Sequence, residues 1–577
     1  MRIRETIMKK AILQGGRLLA PMLLALSLAV TAQAAVPGIT GGSLATGTPA
    51  TFNLTAQTAF LNQPDGSSVY AWGYGCNGTP SGFAPTTTPI TGANCPSMQV
   101  PGPTLIVTEG QTVTVNLLNG LPAAAGNTSI LFPGFNVCVG TIASGTCTPS
   151  AAGTNGVVGL LTQEAAPGGK VSYSFVASSP GTHAYYSGTQ GDLQVEMGLY
   201  GAVVVLPATI PVACSAGLPL TNPGANQTAK AHWGESDFRR AAAAFDSPKS
   251  CYDREYLFQW SEMDPNIHKQ ALAQVTATQG CAAGAVGCGL NVPTEPYHPA
   301  YFLVNGRSMP DLMDANFAAE YPHQPYNGNP HMHPGELTLI RTIGQGRWQH
   351  PFHEHANHVR ILARDGNMIL APDGTNLAGV LMFNTDTTPG EAFDGIFYFT
   401  GRGLNWDPYG HHPGDASDPS ASLSCAPDAN GYNTGAPTAI NYFEWCQDHN
   451  KPLEVAPLGD VGAGGPATLP NPNIFTNGAW YGGTPYLGPD ATLRAGGTQA
   501  CVSSLANNLT ATAANQTSPC STLQPSNIQA NPASERGWAY MWHSHNEREI
   551  TTNNVFPGGM LMMMLVDTRE FVIDESN

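Results

Sequence analysis

The chain has 577 residues, room for two to four ordinary domains, and a formal net charge of −17 with only 11% charged side chains. That acidic balance argues against nucleic acid and anionic membrane surfaces as partners. Abundant glycine (65) and proline (48), with many threonines and valines, predict an all-β protein with long loops.

The first 34 residues read as a secretory signal. Arg2, Arg4, Lys9, Lys10 and Arg17 make a basic start, Leu18 to Val30 an apolar run, and Ala32-Gln33-Ala34 a small-x-small cleavage site. A retained membrane anchor is the lesser alternative, because the apolar run is short for a bilayer. No later segment is apolar enough for stable membrane insertion. Without residues 1–34, which carry five basic side chains and one acidic one, the charge stands near −21. The twelve cysteines fall as sequence neighbours, Cys76/Cys95, Cys138/Cys147, Cys214/Cys251, Cys281/Cys288, Cys425/Cys446 and Cys501/Cys520, a spacing that suggests these pairings without fixing the connectivity. In an exported protein, periplasmic or extracellular, that reads as six disulfides rather than free thiols.

A first β-sandwich is expected over 35–210. Val100 to Asn119 alternates apolar and polar residues about Glu109-Gly110 and predicts a hairpin. Lys170 to Val176 predicts a half-buried strand, and Gly198 to Leu206 a buried closing strand. A connector follows over 211–295, with a short helix expected at Arg239 to Phe245. A second β unit spans 296–577. It opens at Tyr301 to Gly306 and continues through Gly335 to Arg341, His350 to Asp365 and Thr388 to Phe399. Residues from about 402 to 534 show little periodicity and read as a loop-rich insertion pinned by four cysteines. Strand character returns over Trp538 to Val566.

The sixteen histidines are unevenly placed. Only His183 precedes residue 210, whereas His331, His333, His350, His353, His355 and His358 crowd together. Residues two apart on a strand share a face. His353 and His355 therefore point one way, as do His543 and His545. If the two strands are neighbours, four imidazoles converge, a donor set that suits copper or zinc. His350, three residues from His353, faces the other side, and so does Ser544. A lone histidine is usually structural, but two His-x-His pairs in apolar strands favour a metal site. His331 and His333 join it only if their loop folds back. His358 reads as a residue supporting the site from behind its ligands or as surface, and His411-His412 as loop surface. Met560, Met562, Met563 and Met564 read mainly as core.

His350-Pro-Phe-His353-Glu-His355 resembles the H-P-x-H-x-H motif of multicopper oxidases. Trp542-His-Ser-His545, with Gly559-Met560 downstream, resembles their closing H-C-H segment. Val100-Pro-Gly-Pro103, Asn305-Gly306, Pro334-Gly-Glu336, Pro389-Gly-Glu391, Gly181-Thr182 and Gln194 to Gly201 are further landmarks. The resemblance implies two cupredoxin-like Greek-key β-sandwich domains, the second carrying the long insertion, and copper as cofactor. It implies His353, His355, His543 and His545 as metal ligands facing a copper cluster, with His350 facing the blue-copper pocket.

The departures are equally specific. Ser544 stands where the family has its copper-binding cysteine, and Glu549 where it has a second blue-copper histidine. The first-domain pairs fall on Leu131 and Pro133, and on Tyr186 and Gly188, with His183 off register. Laccase-type turnover is therefore disfavoured. Three functions stay open: an exported copper-binding protein, an atypical oxidase of small phenols or metal ions, and a metal-free structural or interaction protein. Glu354, Glu547 and Glu549 are candidate acid–base groups only for the second of these, and surface carboxylates otherwise. No oligomeric state follows from the sequence.

Overall fold

The computed structural model describes residues 36–85, 92–143, 145–149, 161–216, 223–399 and 537–567, with isolated residues and short pieces between 426 and 486 and at 569 and 573. The signal segment, His411-His412, the pairs Cys425/Cys446 and Cys501/Cys520, and most of the insertion lie outside the described residues.

The first sandwich contains β1 (Gly38–Thr40), β2 (Ala50–Asn62), β3 (Ser68–Cys76), β4 (Gly82–Ala84), β5 (Leu105–Thr108), β6 (Thr112–Asn119), β7 (Cys138–Ala143), β8 (Thr146–Pro149), β9 (Lys170–Val176), β10 (Gly181–Tyr186) and β11 (Tyr200–Leu206). They form two sheets, ordered β10-β11-β5-β1-β4 and β3-β2-β6-β9-β7-β8. The hairpin expected over Val100 to Asn119 is instead an arch. β5 joins the first sheet beside β1 and β11, while β6 joins the second between β2 and β9. Burial explains it. β6 alternates half-buried and buried residues, whereas β5 is buried on both faces because a further layer covers it.

That layer is the second sandwich, built from β12 (Arg254–Met263), β13 (Tyr301–Val304), β14 (His331–Met332), β15 (Leu337–Gly344), β16 (Pro351–Glu354), β17 (Val359–Arg364), β18 (Asn367–Met368), β19 (Leu381–Met382), β20 (Asn384–Asp386), β21 (Ala392–Tyr398), β22 (Thr484–Tyr486), β23 (Gly537–Ser544) and β24 (Leu561–Asp567). Its inner sheet runs β13-β12-β15-β21-β17-β18 and its outer sheet β14-β24-β23-β16-β20. The connector thus supplies a central strand, β12. The helix expected at Arg239 to Phe245 is absent: Ala243 bridges Cys251, and Ser250 bonds the backbone of Phe245, holding the segment extended. A helix forms instead at Pro265–Ala277, where Asp264 caps the Asn266 amide at 2.8 Å and proline takes the first turn.

Two cores fix the layer order. Leu105, Val107, Val203 and Val205 pack inside the first sandwich. Phe258, Trp260, Phe352, Trp542, Met560, Met562 and Met564 pack inside the second. Between them Ile106, Ala184, Val204 and Ala202 meet Leu257, Ile343 and Ala392. The first sandwich therefore covers one face of the second, and the outer sheet lies on the far side. Buried polar groups lock this junction. Arg341 bonds Glu255 at 2.8 Å and Asp394 at 3.1 Å, and Asp394 accepts from the Thr182 hydroxyl at 2.6 Å. At Gly306 (φ 84°) a Cβ would stand 2.1 Å from the Val100 carbonyl, so only glycine fits there.

Four disulfides are present among the described residues, Cys76–Cys95, Cys138–Cys147, Cys214–Cys251 and Cys281–Cys288. The Cys214–Cys251 bridge closes 37 residues and Cys281–Cys288 only 7. By loop entropy, removing the first by paired alanine substitution should cost about 1–2 kcal/mol more than removing the second, as read by urea denaturation.

Candidate metal centre

β16 pairs antiparallel with β23, and His353 stands directly opposite His543. The pleat puts Phe352, Glu354, Trp542 and Ser544 inward and His353, His355, His543 and His545 outward. Ring centroids lie 4.7 Å apart for His353/His355, 5.4 Å for His353/His543, 5.3 Å for His355/His543 and 4.9 Å for His353/His545. One nitrogen from each of His353, His355 and His543 falls within 4.8 Å of the others. The His355 and His543 Nε2 atoms are 3.3 Å apart. Two ligands about 2.0–2.1 Å from one ion at a tetrahedral angle have the same spacing, about 3.3 Å.

Two of the other ring nitrogens are tied back. His353 Nδ1 donates to the Phe383 carbonyl at 2.6 Å, and His543 Nδ1 to the Ser544 carbonyl at 2.7 Å. Each bond fixes the tautomer that leaves Nε2 as a lone pair, the usual outer-shell arrangement of metal-binding histidines. Burial lowers His353 to about 4, with repulsion from the three neighbouring imidazoles adding to it, and burial lowers His543 as well. Both rings are therefore neutral at pH 7. His353 is buried, His355 and His543 are half-buried, and His545 stands exposed at the rim. The donor set fits a late transition-metal ion.

His350 does not join this group, and the blue-copper role that the resemblance implied for it is taken up by carboxylate contacts instead. It lies on the inner side of the sheet, fully buried, with carboxylates on both ring nitrogens: Glu549 at Nδ1 and Glu262 at Nε2, each 2.9 Å away. Burial alone would lower its pKa. The two carboxylates outweigh burial and hold it up at about 9, so it is an imidazolium. Ser544 donates to the same Glu549 oxygen at 2.5 Å, and Asn546 Nδ2 to the other at 2.9 Å. Glu262 also accepts the Arg347 and Trp348 amides at 2.8 and 2.9 Å. An ion-pair cluster fills the space where the resemblance implied a thiolate metal site. Ser544→Cys is accordingly expected to bring no intense blue absorption after copper loading, a result a visible spectrum checks.

His331 and His333 do not fold back to the cage either. His331 bonds Asp567 at 2.6 Å on β14, beyond β24. His333 bonds Glu235 at 2.8 Å in a separate buried cluster with Glu336. Arg254 (2.5 Å to Glu235, 3.0 Å to Glu336) and Lys230 (3.3 Å to Glu336) already neutralise these carboxylates, so the cluster is an ion-pair network. The candidate acid–base groups also fall away from the cage. Glu354 points inward, accepts from Thr385 at 2.9 Å, and is held well above the usual carboxylate range by burial. Glu549 is committed to His350, and Glu547 is exposed.

The first-sandwich positions carry no imidazole. Leu131 and Pro133 line an apolar cavity with Phe132 and Phe135, and Leu131 bridges Tyr186. His183 is buried against Phe135 and bonds the Ser179 carbonyl at 3.0 Å. The orienting carbonyl of Phe383 was not readable from the sequence, since it depends on tertiary placement 30 residues from its histidine.

Residues 85–209 match the multicopper oxidase family model. That match covers 125 of the chain's 577 residues and falls within the first of the two β-sandwiches. No curated protein matches it. Among solved structures it is similar to a multicopper oxidase, mgLAC, at 14% identity over 90% of this chain and 85% of that one, TM-score 0.40. A blue copper oxidase from Nitrosomonas europaea gives 13% identity over 90% and 85%, TM-score 0.40. A copper nitrite reductase from the same organism gives 18% over 61% and 85%, TM-score 0.34. Likenesses this loose carry no argument about the site.

Proposed function

We propose that the protein is an exported copper-binding member of the multicopper oxidase family, with one histidine site on the outer sheet of its second sandwich. The observation that carries this reading is the trio of ring nitrogens from His353, His355 and His543 within 4.8 Å of one another, with His545 at the rim. Copper held there would supply Lewis acidity and one-electron chemistry. The chain's own contribution is to keep His353 and His543 neutral, to fix their tautomers through the Phe383 and Ser544 carbonyls, and to leave His545 exposed at the rim.

A small phenol or a metal ion that reached the exposed His545 rim would meet the copper, so slow oxidation is the second reading. The electron-entry site of a standard laccase has no counterpart, because His350, Glu262, Glu549 and Ser544 fill its place. Copper loading followed by electron spin resonance tests the first reading. About one nitrogen-coordinated ion per chain supports it, and no binding favours a metal-free structural role. Oxygen uptake with phenolic donors, present only in the loaded protein, supports the oxidase reading.

A further inference from the structure

The last strand carries a run of methionines that the pleat divides. Met560, Met562 and Met564 are fully buried in the core with Trp542 and Phe352. Met563 lies between them on the opposite face, is half-buried and belongs to no core cluster. Its cross-strand partner is Met541, also half-buried and outside the core. Met541 and His543 are two residues apart on β23 and so share the histidine face. The Met541 carbonyl accepts the His355 amide at 3.3 Å, which places that strand position beside the second imidazole pair.

Directly opposite side chains on an antiparallel pair have Cβ atoms about 4.5–5.5 Å apart, and the diagonal neighbours on that face about 7–8 Å. A thioether on three rotatable bonds spans that interval. Among the described residues, the other neighbours on this face are Ala539, Leu561 and Leu565, and beyond Leu565 stands His331, which is bonded to Asp567 at 2.6 Å. Thioether sulfur is a soft ligand that selects copper in its reduced state, and the 3.3 Å nitrogen spacing matches a tetrahedral rather than a square-planar ion.

The geometry points to a cuprous site at Met541 and Met563, an annex of the histidine cage that makes reduced copper the favoured cargo of this face. It rests on the copper reading above. Met541 and Met563 supply soft donors, and His543 is the imidazole at their end of the cage. The inward methionines take no part.

The test titrates the full-length protein without oxygen with copper(I) held by a competing chromophoric chelator, and repeats it with silver(I) as a redox-inert probe. Wild type is compared with the Met541→Leu/Met563→Leu double variant. Leucine conserves volume, so the sheet face keeps its packing. X-ray absorption of the copper(I) protein should show sulfur scattering that disappears in the variant. The variant's copper(I) and silver(I) affinities should fall at least 10-fold, while copper(II) loading stays unchanged. A nitrogen-only shell in wild type, or equal copper(I) affinity in the variant, overturns this inference and leaves the histidine site standing. Loss of copper(II) binding in wild type itself overturns the copper reading instead.

Discussion

Replacing His355 and His543 together by alanine should weaken copper(II) binding by on the order of 100-fold or more while leaving the fold nearly untouched. Losing a group that merely orients a ligand typically costs 10–100-fold, so removing two of three converging nitrogens costs at least as much. Both rings are half-buried on the outer face of the outer sheet, away from the side that carries Phe352 and Trp542. The melting temperature should therefore move by no more than about 2–4 °C, the scale of 1 kcal/mol in a domain of this size. His358→Ala is the matched control. It removes a half-buried ring that touches the same Phe383 at 5.5 Å but adds no nitrogen to the trio, so loading should not change. Equilibrium dialysis and a thermal scan of the three proteins check the prediction.

His350→Ala should do the opposite: it should cost about 3–5 kcal/mol of stability and leave the outer site able to load. Removing the imidazolium strands Glu262 and Glu549 as buried carboxylates, the situation in which breaking an internal ion pair is most damaging. The pH dependence carries the signature. The folded pKa of about 9 lies above the ordinary 6.5, so the native state binds this proton more tightly than the unfolded chain. The stabilisation is fully present below about pH 6.5 and is lost as pH rises through about 9, worth on the order of 3 kcal/mol. Urea denaturation at pH 6 and pH 10 should show that loss in wild type and not in the variant. If His350 were a copper ligand, the variant would lose loading, and the pH dependence would follow the metal.

How much of this was legible in the sequence follows from which interactions are local. Period-two alternation identified β6 and β9, and the same rule put His353 with His355 and His543 with His545. It also put His350 and Ser544 on the other face. What alternation cannot tell is which sheet a strand joins. β5 and β6 read as a hairpin around Glu109-Gly110, yet they separate because β5 is covered on both sides by layers distant in sequence. β12 was hidden in the connector because Arg254, Glu255 and Glu262 make it look like surface. Each of those charges is buried against a partner no local pattern announces. The meeting of β16 with β23 joins residues 188 apart, and only the tertiary fold settles it. The fate of His350 likewise hangs on Glu262 and Glu549, 88 and 199 residues away.

The most direct measurement is electron spin resonance during a copper(II) titration of the full-length protein, run beside the His355→Ala/His543→Ala variant. A signal with imidazole nitrogen coupling that saturates near one ion per chain, without intense blue colour, and that vanishes in the variant, is the predicted result. A signal that survives loss of both rings, or no bound ion at all in the parent, would contradict the claim that these two strands were brought together to hold a metal.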